Sequence, residues 1–343
     1  MPGGDKIAFM LRIGPLFLCA LAASAQTKKI LVMGHPPEAI RDWQTVSTKV
    51  TLTAARPATV LADIADADAF IGEPSPEMVR AGKKLQWVQI TSAGAERVLH
   101  ISGGNDLRDS NIVLTNNQIV QGPEIADHAM AMLLALARNL PLYFSDRTKE
   151  NWRREQFKGI ELNGKNGLVI GCGGIGMQIA TRAWAHGMKV TCVDPEDLPF
   201  SPFVVKTVKP DMLDDVLPAQ DVVFISAPHT PKSHRMMGPK QFDLMKKNSY
   251  FIAVSRGAIY DLPALNKALD EKRLAGAGVD VTDPEPLPVG NALWKFENAI
   301  VTPHIAGRSD QDRSRMLGTV KENIRRFAEG LPLINVVDKQ KGY

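Results

Sequence analysis

The sequence predicts an α/β fold of two domains, each built on a parallel sheet. Three observations predict it. From Lys28 onward, short β-rich apolar runs alternate with helical segments. The alternation comes as two series parted by one long apolar helix. A chain of 343 residues also exceeds what one compact core accommodates.

The first series holds "KKILVMG" (28–34), "KVTLT" (49–53), "DAFIG" (68–72), "LQWVQI" (85–90) and "NIVLT" (111–115), five strands of one sheet. "PEIADHAMAMLLALARNL" (123–140) then has the length and apolar density of a buried helix, with Pro123 in its first turn and Pro141 where it should stop. "RTKENWRREQFK" (147–158) interleaves acids with bases and reads as a solvated helix face. The second series is "NGLVIG" (166–171), "KVTCVD" (189–194), "DVVFIS" (221–226), "SYFIAV" (249–254), "AGAGVDV" (275–281) and "NAIVTP" (298–303). Six such strands are the content of a dinucleotide-binding domain. "DPEDLPFSP" (194–202) is a loop, and a last helix at about 309–330 follows the second sheet.

Bulk composition narrows the function. A net charge of +4 is too small to argue for nucleic acid. Cys19, Cys172 and Cys192 make neither a disulfide framework nor a zinc spacing, and no metal is expected. The opening run resembles an export signal over 1–25: Lys6 and Arg12 precede an apolar stretch that ends in Ala23-Ser24-Ala25. It is too short to span a bilayer and contains Pro15, so no stable membrane span is expected.

Chemistry enters with "GLVIGCGGIGMQIA" (167–180). Gly171, Gly173 and Gly176 form G-x-G-x-x-G between a strand and a helix. Gly171 permits the tight turn, Gly173 lets backbone approach a pyrophosphate, and Gly176 allows close helix–strand packing. The next strand ends in Asp194, whose carboxylate suits ribose hydroxyls and repels a 2′-phosphate, favouring NAD over NADP. Three further polar residues stand at strand ends: Arg256 in "VSRGAIYD", Glu285 in "DVTDPEPLP" and His304 in "VTPHIAG". Reducing a 2-keto acid needs a planar cation for its carboxylate, a proton donor for its carbonyl oxygen and a partner to hold that donor. Arginine, histidine and glutamate are those three groups.

These motifs, with "TSAGAERV" (91–98), "IADHAMAMLLALAR" (125–138), "APHTPKSHRMMG" (227–238) and the ending "LINVVDKQKGY" (333–343), resemble the D-isomer-specific 2-hydroxyacid dehydrogenases from about Lys28 to Tyr343. The resemblance implies two Rossmann-like domains of the formate/glycerate dehydrogenase type, with parallel sheets. It implies a discontinuous substrate domain, 28–122 plus 308–343, around an NAD-binding domain at 123–307. Arg256, Glu285 and His304 match the catalytic triad: His304 as acid–base, Glu285 as its partner, Arg256 on the substrate carboxylate. Ser92, Ala93 and Gly94 match a loop whose backbone N–H groups also hold that carboxylate. Gly174 and Ile175 would touch pyrophosphate. Ala227, Val254 and Asp280 would line the nicotinamide side with His304, Asp280 accepting from the carboxamide. His229 reads as a pocket wall.

Further implications are a small 2-hydroxy or 2-keto acid substrate and a homodimer seamed along the helix from Pro123. Asp127 stands where the family often has Glu, and relatives generally lack an export signal, so a periplasmic or exported enzyme competes with the family's cytoplasmic habit. Two alternative functions use the same scaffold: a non-catalytic NAD-sensing interaction protein and a phosphite-type dehydrogenase. Glu285 beside His304 speaks against the formate type, which pairs Gln with His.

Overall fold

A computed structural model describes residues 27–101, 105–154 and 159–343. The signal-like opening run lies outside the described residues. Strands β1 (Lys28–Val32), β2 (Val50–Ala54), β3 (Ala69–Ile71), β4 (Trp87–Gln89) and β5 (Val113–Thr115) form a first sheet in the order β2-β1-β3-β4-β5. Strands β6 (Asn166–Ile170), β7 (Lys189–Val193), β8 (Lys206–Val208), β9 (Val222–Ile225), β10 (Ser249–Ala253), β11 (Leu274–Val279) and β12 (Ala299–Val301) form a second, ordered β12-β11-β10-β9-β6-β7-β8. Neighbours pair parallel throughout both sheets.

Every strand read from the sequence is present, and β8 is an addition. Its Lys-Thr-Val carries no apolar run because it sits at the sheet edge with its first two residues exposed. Central strands β9 and β10 are buried at every position, as expected when helices cover both faces. Alternation divides their side chains between two cores: Val223, Ile225, Phe251 and Ala253 face one way, Val222, Phe224 and Ile252 the other. The second core also takes Ala129, Met132, Leu133 and Leu136 of the long helix Gly122–Ala137. That helix spends its apolar density inside its own chain.

Two helical expectations need correction. The long helix does not stop at Pro141. Asn139 adopts the left-handed region (φ 56°), and Pro141 lies in the first turn of a second helix, Leu140–Arg147. Among its described residues, 147–154, the charged stretch 147–158 is not a helix face: that second helix ends at Arg147, Asn151–Arg154 are irregular, and 155–158 lie outside the described residues.

The helix Asp312–Glu329 returns to the first sheet, packing Val320, Ile324 and Phe327 against Ile30, Val32, Trp43 and Trp87. Buried Asn323 secures it by donating to Gln89 Oε1 at 2.9 Å. The chain therefore crosses between the sheets twice, and the crossings lie side by side. Gln121 donates to the Gly307 carbonyl at 2.9 Å, and Arg315 to that of Val120 at 3.1 Å.

The cysteine expectation is also corrected, because Cys172 and Cys192 form a disulfide. The register sets Cys192 opposite Val169 on adjacent parallel strands, and Cys172 lies just past the end of β6. Strand pairing thus brings their Cα atoms to 6.0 Å, within bonding range.

Candidate active site

The glycine-rich turn joins β6 to the helix Gly174–Ala185. Gly171 has φ +87°, and a Cβ there would meet the Ala227 backbone nitrogen at 2.4 Å. At Gly176 a Cβ would lie 2.0 Å from the Gly171 carbonyl oxygen, so the helix is seated against the turn. Gly173 is exposed, and a Cβ there would meet nothing within 4 Å. The open space in front of its backbone, beside a helix N-terminus, fits a pyrophosphate. Gly174 packs on Ile119, and Ile175 is half-buried. Asp194 is buried at the end of β7, taking N–H bonds from Cys172 at 2.7 Å and Glu196 at 2.9 Å. Its carboxylate is thus tied to the glycine turn.

Ala227, Val254 and Asp280 follow β9, β10 and β11 at their C-terminal ends, where ligands of open α/β sheets bind. His304 Nδ1 lies 2.9 Å from Glu285 Oε2, while Glu285 Oε1 accepts from Thr282 N at 2.9 Å. One carboxylate oxygen is thereby fixed by backbone and the other orients the imidazole. Among the described residues nothing bonds His304 Nε2, and the ring is about half exposed. His304 itself has φ +55°, an uncommon conformation held by N–H donation to the Asp280 carbonyl at 2.8 Å.

Arg256 reaches this group through Gly257, whose Cβ would fall 2.0 Å from the Thr282 carbonyl carbon. Only glycine lets the Arg256 loop lie so close to the Thr282–Glu285 loop. The guanidinium then packs over Gly94, where a Cβ would meet Nη2 at 2.2 Å. The turn Ser92-Ala93-Gly94 is fixed from behind: Asn116 donates to the Ala93 carbonyl at 2.6 Å, and Ser92 Oγ to that of Gly94 at 2.8 Å. The structure therefore brings together Arg256, the 92–94 turn, Glu285 and His304.

Asp280 acts from behind them. Its oxygens accept from Thr302 Oγ1 at 2.5 Å, Ile305 N at 2.9 Å and Ala306 N at 2.8 Å, holding the turn that carries His304. His229 borders the site, with Nε2 3.1 Å from His234 Nδ1. Burial, then the neighbouring His234, hold its pKa below the ordinary histidine value.

Sequence reasoning missed two residues. Glu96 Oε1 accepts from Arg256 Nε at 2.6 Å, an ion pair between the first and second sheets' loops. Ile119, a β-branched residue at φ +74°, abuts Gly174. The acid in "TSAGAERV" was visible, but its partner 160 positions away was not. Nothing in the sequence marks Ile119.

Residues 130–306 match the family model described as D-isomer specific 2-hydroxyacid dehydrogenase, NAD binding domain. D-3-phosphoglycerate dehydrogenase of Methanocaldococcus jannaschii is 33% identical over 90% of this chain and 59% of its own length. Glyoxylate reductase of Korarchaeum cryptofilum is 31% identical over 82% of this chain and 86% of its own. A D-isomer specific 2-hydroxyacid dehydrogenase family protein from Aeromonas salmonicida superposes with TM-score 0.76 at 26% identity, covering 91% of this chain and 99% of that one. The chain spans 59% and 49% of the length of two D-3-phosphoglycerate dehydrogenases it matches.

Proposed function

Because the chain belongs to the D-isomer-specific 2-hydroxyacid dehydrogenase family, we propose that it is an NAD(H)-dependent oxidoreductase interconverting a small D-2-hydroxy acid and its 2-keto acid. The observation that carries the reading is the 2.9 Å His304–Glu285 pair, with Nε2 left open and Arg256 over Gly94 nearby. When bound, a nicotinamide dinucleotide would supply hydride chemistry at the carbon bearing oxygen. The residues do the rest. Arg256 and the 92–94 turn hold the carboxylate, which fixes the carbonyl carbon in place. In the reductive direction His304 Nε2 gives a proton to the carbonyl oxygen, and in the oxidative direction it takes one back. Glu285 keeps the proton-bearing Nδ1 facing itself, so that Nε2 is the exchanging atom. Asp280 holds the His304 turn.

The glycine turn and Asp194 would hold the cofactor. A buried carboxylate at that strand end supports NAD over NADP. Leu140, Phe144 and Trp152, exposed apolar side chains just after the long helix, support the homodimer. The Cys172–Cys192 bond supports reading the opening run as an export signal, since disulfides persist in oxidising compartments.

The test is oxidation of NADH, with NADPH as control, across 2-keto acids of graded size. Wild-type protein should prefer NADH. His304→Ala should lose about 10²–10⁴-fold in turnover with NADH affinity nearly kept. Unchanged turnover in that variant sinks the acid–base assignment.

A further inference from the structure

The segment after the helix Asp312–Glu329 is anchored on the first sheet and reaches the second. Val336 bridges Thr115, and Val337 N donates to the Leu114 carbonyl at 2.8 Å. Lys339 Nζ donates to the carbonyls of Leu107, Ser110 and Ile112 at 3.0, 2.6 and 2.8 Å, which pins the segment to the loop before β5. Asp338 Oδ1 accepts from Gln340 N and Lys341 N, both at 3.0 Å, and the Asp338 carbonyl accepts from Gly342 N at 2.8 Å. The turn so formed delivers two donors to one carboxylate oxygen of the second sheet's loops. Lys341 Nζ lies 2.7 Å, and Tyr343 Oη 2.9 Å, from Glu196 Oε1. Between those two donors, Gly342 approaches Thr230: a Cβ there would lie 3.6 Å from Thr230 Cγ2.

The places touched are informative. Glu196 is in the loop after β7, two residues past Asp194 and donating its N–H to it. Thr230 is in the loop after β9. Strands β7 and β9 flank β6, whose end carries the glycine turn. A segment resting on both loops spans the crevice on the Asp194 side of that turn. Burial first, then Glu196 and the Asp194 charge, push the Tyr343 phenol up to about 12, so it stays protonated and donates to Glu196 at neutral pH.

We infer that Lys341–Tyr343 form the outer wall of the adenosine seat, with the Tyr343 ring as a surface for adenine and Glu196 as the latch that holds the wall in place. This rests on the cofactor reading above. It adds that the adenosine seat is completed by residues anchored on the first sheet, so that cofactor binding and the relative setting of the two sheets are coupled.

Calorimetric titration of the full chain tests it, with NADH, AMP and nicotinamide mononucleotide as separate probes. Tyr343→Ala should raise Kd for NADH and AMP by about fivefold or more, in line with the loss of one base–aromatic contact. Lys341→Ala combined with Tyr343→Ala should do at least as much, while the mononucleotide's Kd stays at the wild-type value. Melting curves establish that both variants are folded. Unchanged Kd values for NADH and AMP overturn the inference, and so does tighter binding, which would make the segment an occluding strap. Wild-type protein that binds no NADH overturns the cofactor reading itself, a result distinguishable from a wild-type binder whose variants bind equally well.

Discussion

Alanine substitutions at two glycines of one turn should both weaken cofactor binding but only one should cost stability, and the structure says which is which. At Gly173 the backbone has φ −69° and ψ −156°, a conformation open to alanine, and a Cβ meets nothing within 4 Å. Alanine there reduces the freedom of the unfolded chain, a gain of about 0.4–1 kcal/mol. It also replaces glycine at a helix N-cap with a poorer cap, a loss of similar size. The net stability change should stay within about 1 kcal/mol, or about 2–4 °C in Tm. The new methyl would stand where a phosphate oxygen approaches the helix N-terminus. Losing one charge-assisted hydrogen bond costs about 1.5–3 kcal/mol, which is about a 10- to 150-fold rise in Kd. At Gly176 the Cβ would instead lie 2.0 Å from the Gly171 carbonyl oxygen and 3.0 Å from Ser226 Oγ. Relieving that overlap costs about 1–3 kcal/mol and moves the turn itself. Gly173→Ala should therefore lose NADH affinity at nearly native Tm, whereas Gly176→Ala should lose both. Fluorescence titration with NADH beside thermal melts reads both quantities. A Gly173→Ala protein that binds NADH with wild-type affinity would falsify the assignment of that open space to a pyrophosphate.

Three further outcomes are expected. Cys192→Ser should destabilise the second sheet's domain by about 3 kcal/mol on a chain-entropy account, because the bond closes a loop of sequence separation 20; equal melting of oxidised wild type and variant would refute a stabilising role. Arg256→Ala should lower kcat/KM for 2-keto acids about 10- to 150-fold, one charged hydrogen bond's worth, with NADH Kd unchanged; loss of NADH binding instead would move Arg256 from substrate to cofactor. Bonds from Arg325, then Arg326, lower the Glu322 pKa from 4.5 to about 2. A carboxylate depressed on folding contributes stability present above pH 4.5 and lost as pH falls toward 2, so melts from pH 6 to 2 should fall less steeply for Glu322→Gln than for wild type, and parallel curves would refute this.

How much of this was legible depended on the range of the signal. Parallel strands covered on both faces write themselves as continuous apolar runs, and β9 and β10 were readable for that reason. β8 was not, because an edge strand of three residues with two exposed has no such run. The end of the long helix was ambiguous locally. A proline just past a helix and a proline in the first turn of the next one occupy similar positions, and only the left-handed Asn139 decides between them. The disulfide was invisible to spacing rules because its half-cystines meet through strand order. The glycine turn and Asp194 could be picked out because each stands directly after a strand, and Arg256, Glu285 and His304 because each lies in the loop that follows one. Glu96, Ile119 and Glu196 gave no comparable signal, since their partners are supplied by the other half of the fold.

The Arg256–Glu96 pair shows what that missing information changes. Residue type and strand-end position make Arg256 the proposed holder of the substrate carboxylate, yet in the folded chain it already holds a carboxylate, that of Glu96. A substrate need not displace it. The guanidinium carries five donors in a fixed fork. Nε goes to Glu96 at 2.6 Å and Nη1 to the Ser255 carbonyl at 2.8 Å. Both bonds set the plane of the fork, and neither uses Nη2, which overlies Gly94. Under that proposal Glu96 is a positioning residue: it accepts from one Arg256 donor and so aims another at the turn whose backbone is proposed to share the substrate carboxylate. The same geometry accounts for the glycine in Ser92-Ala93-Gly94, since a Cβ at Gly94 would lie 2.2 Å from Nη2 and 2.3 Å from Glu96 Oε2. Under the proposed function, motif and ion pair together would make a seat with one wall from each sheet, so that carboxylate affinity would depend on how the two sheets are set against each other.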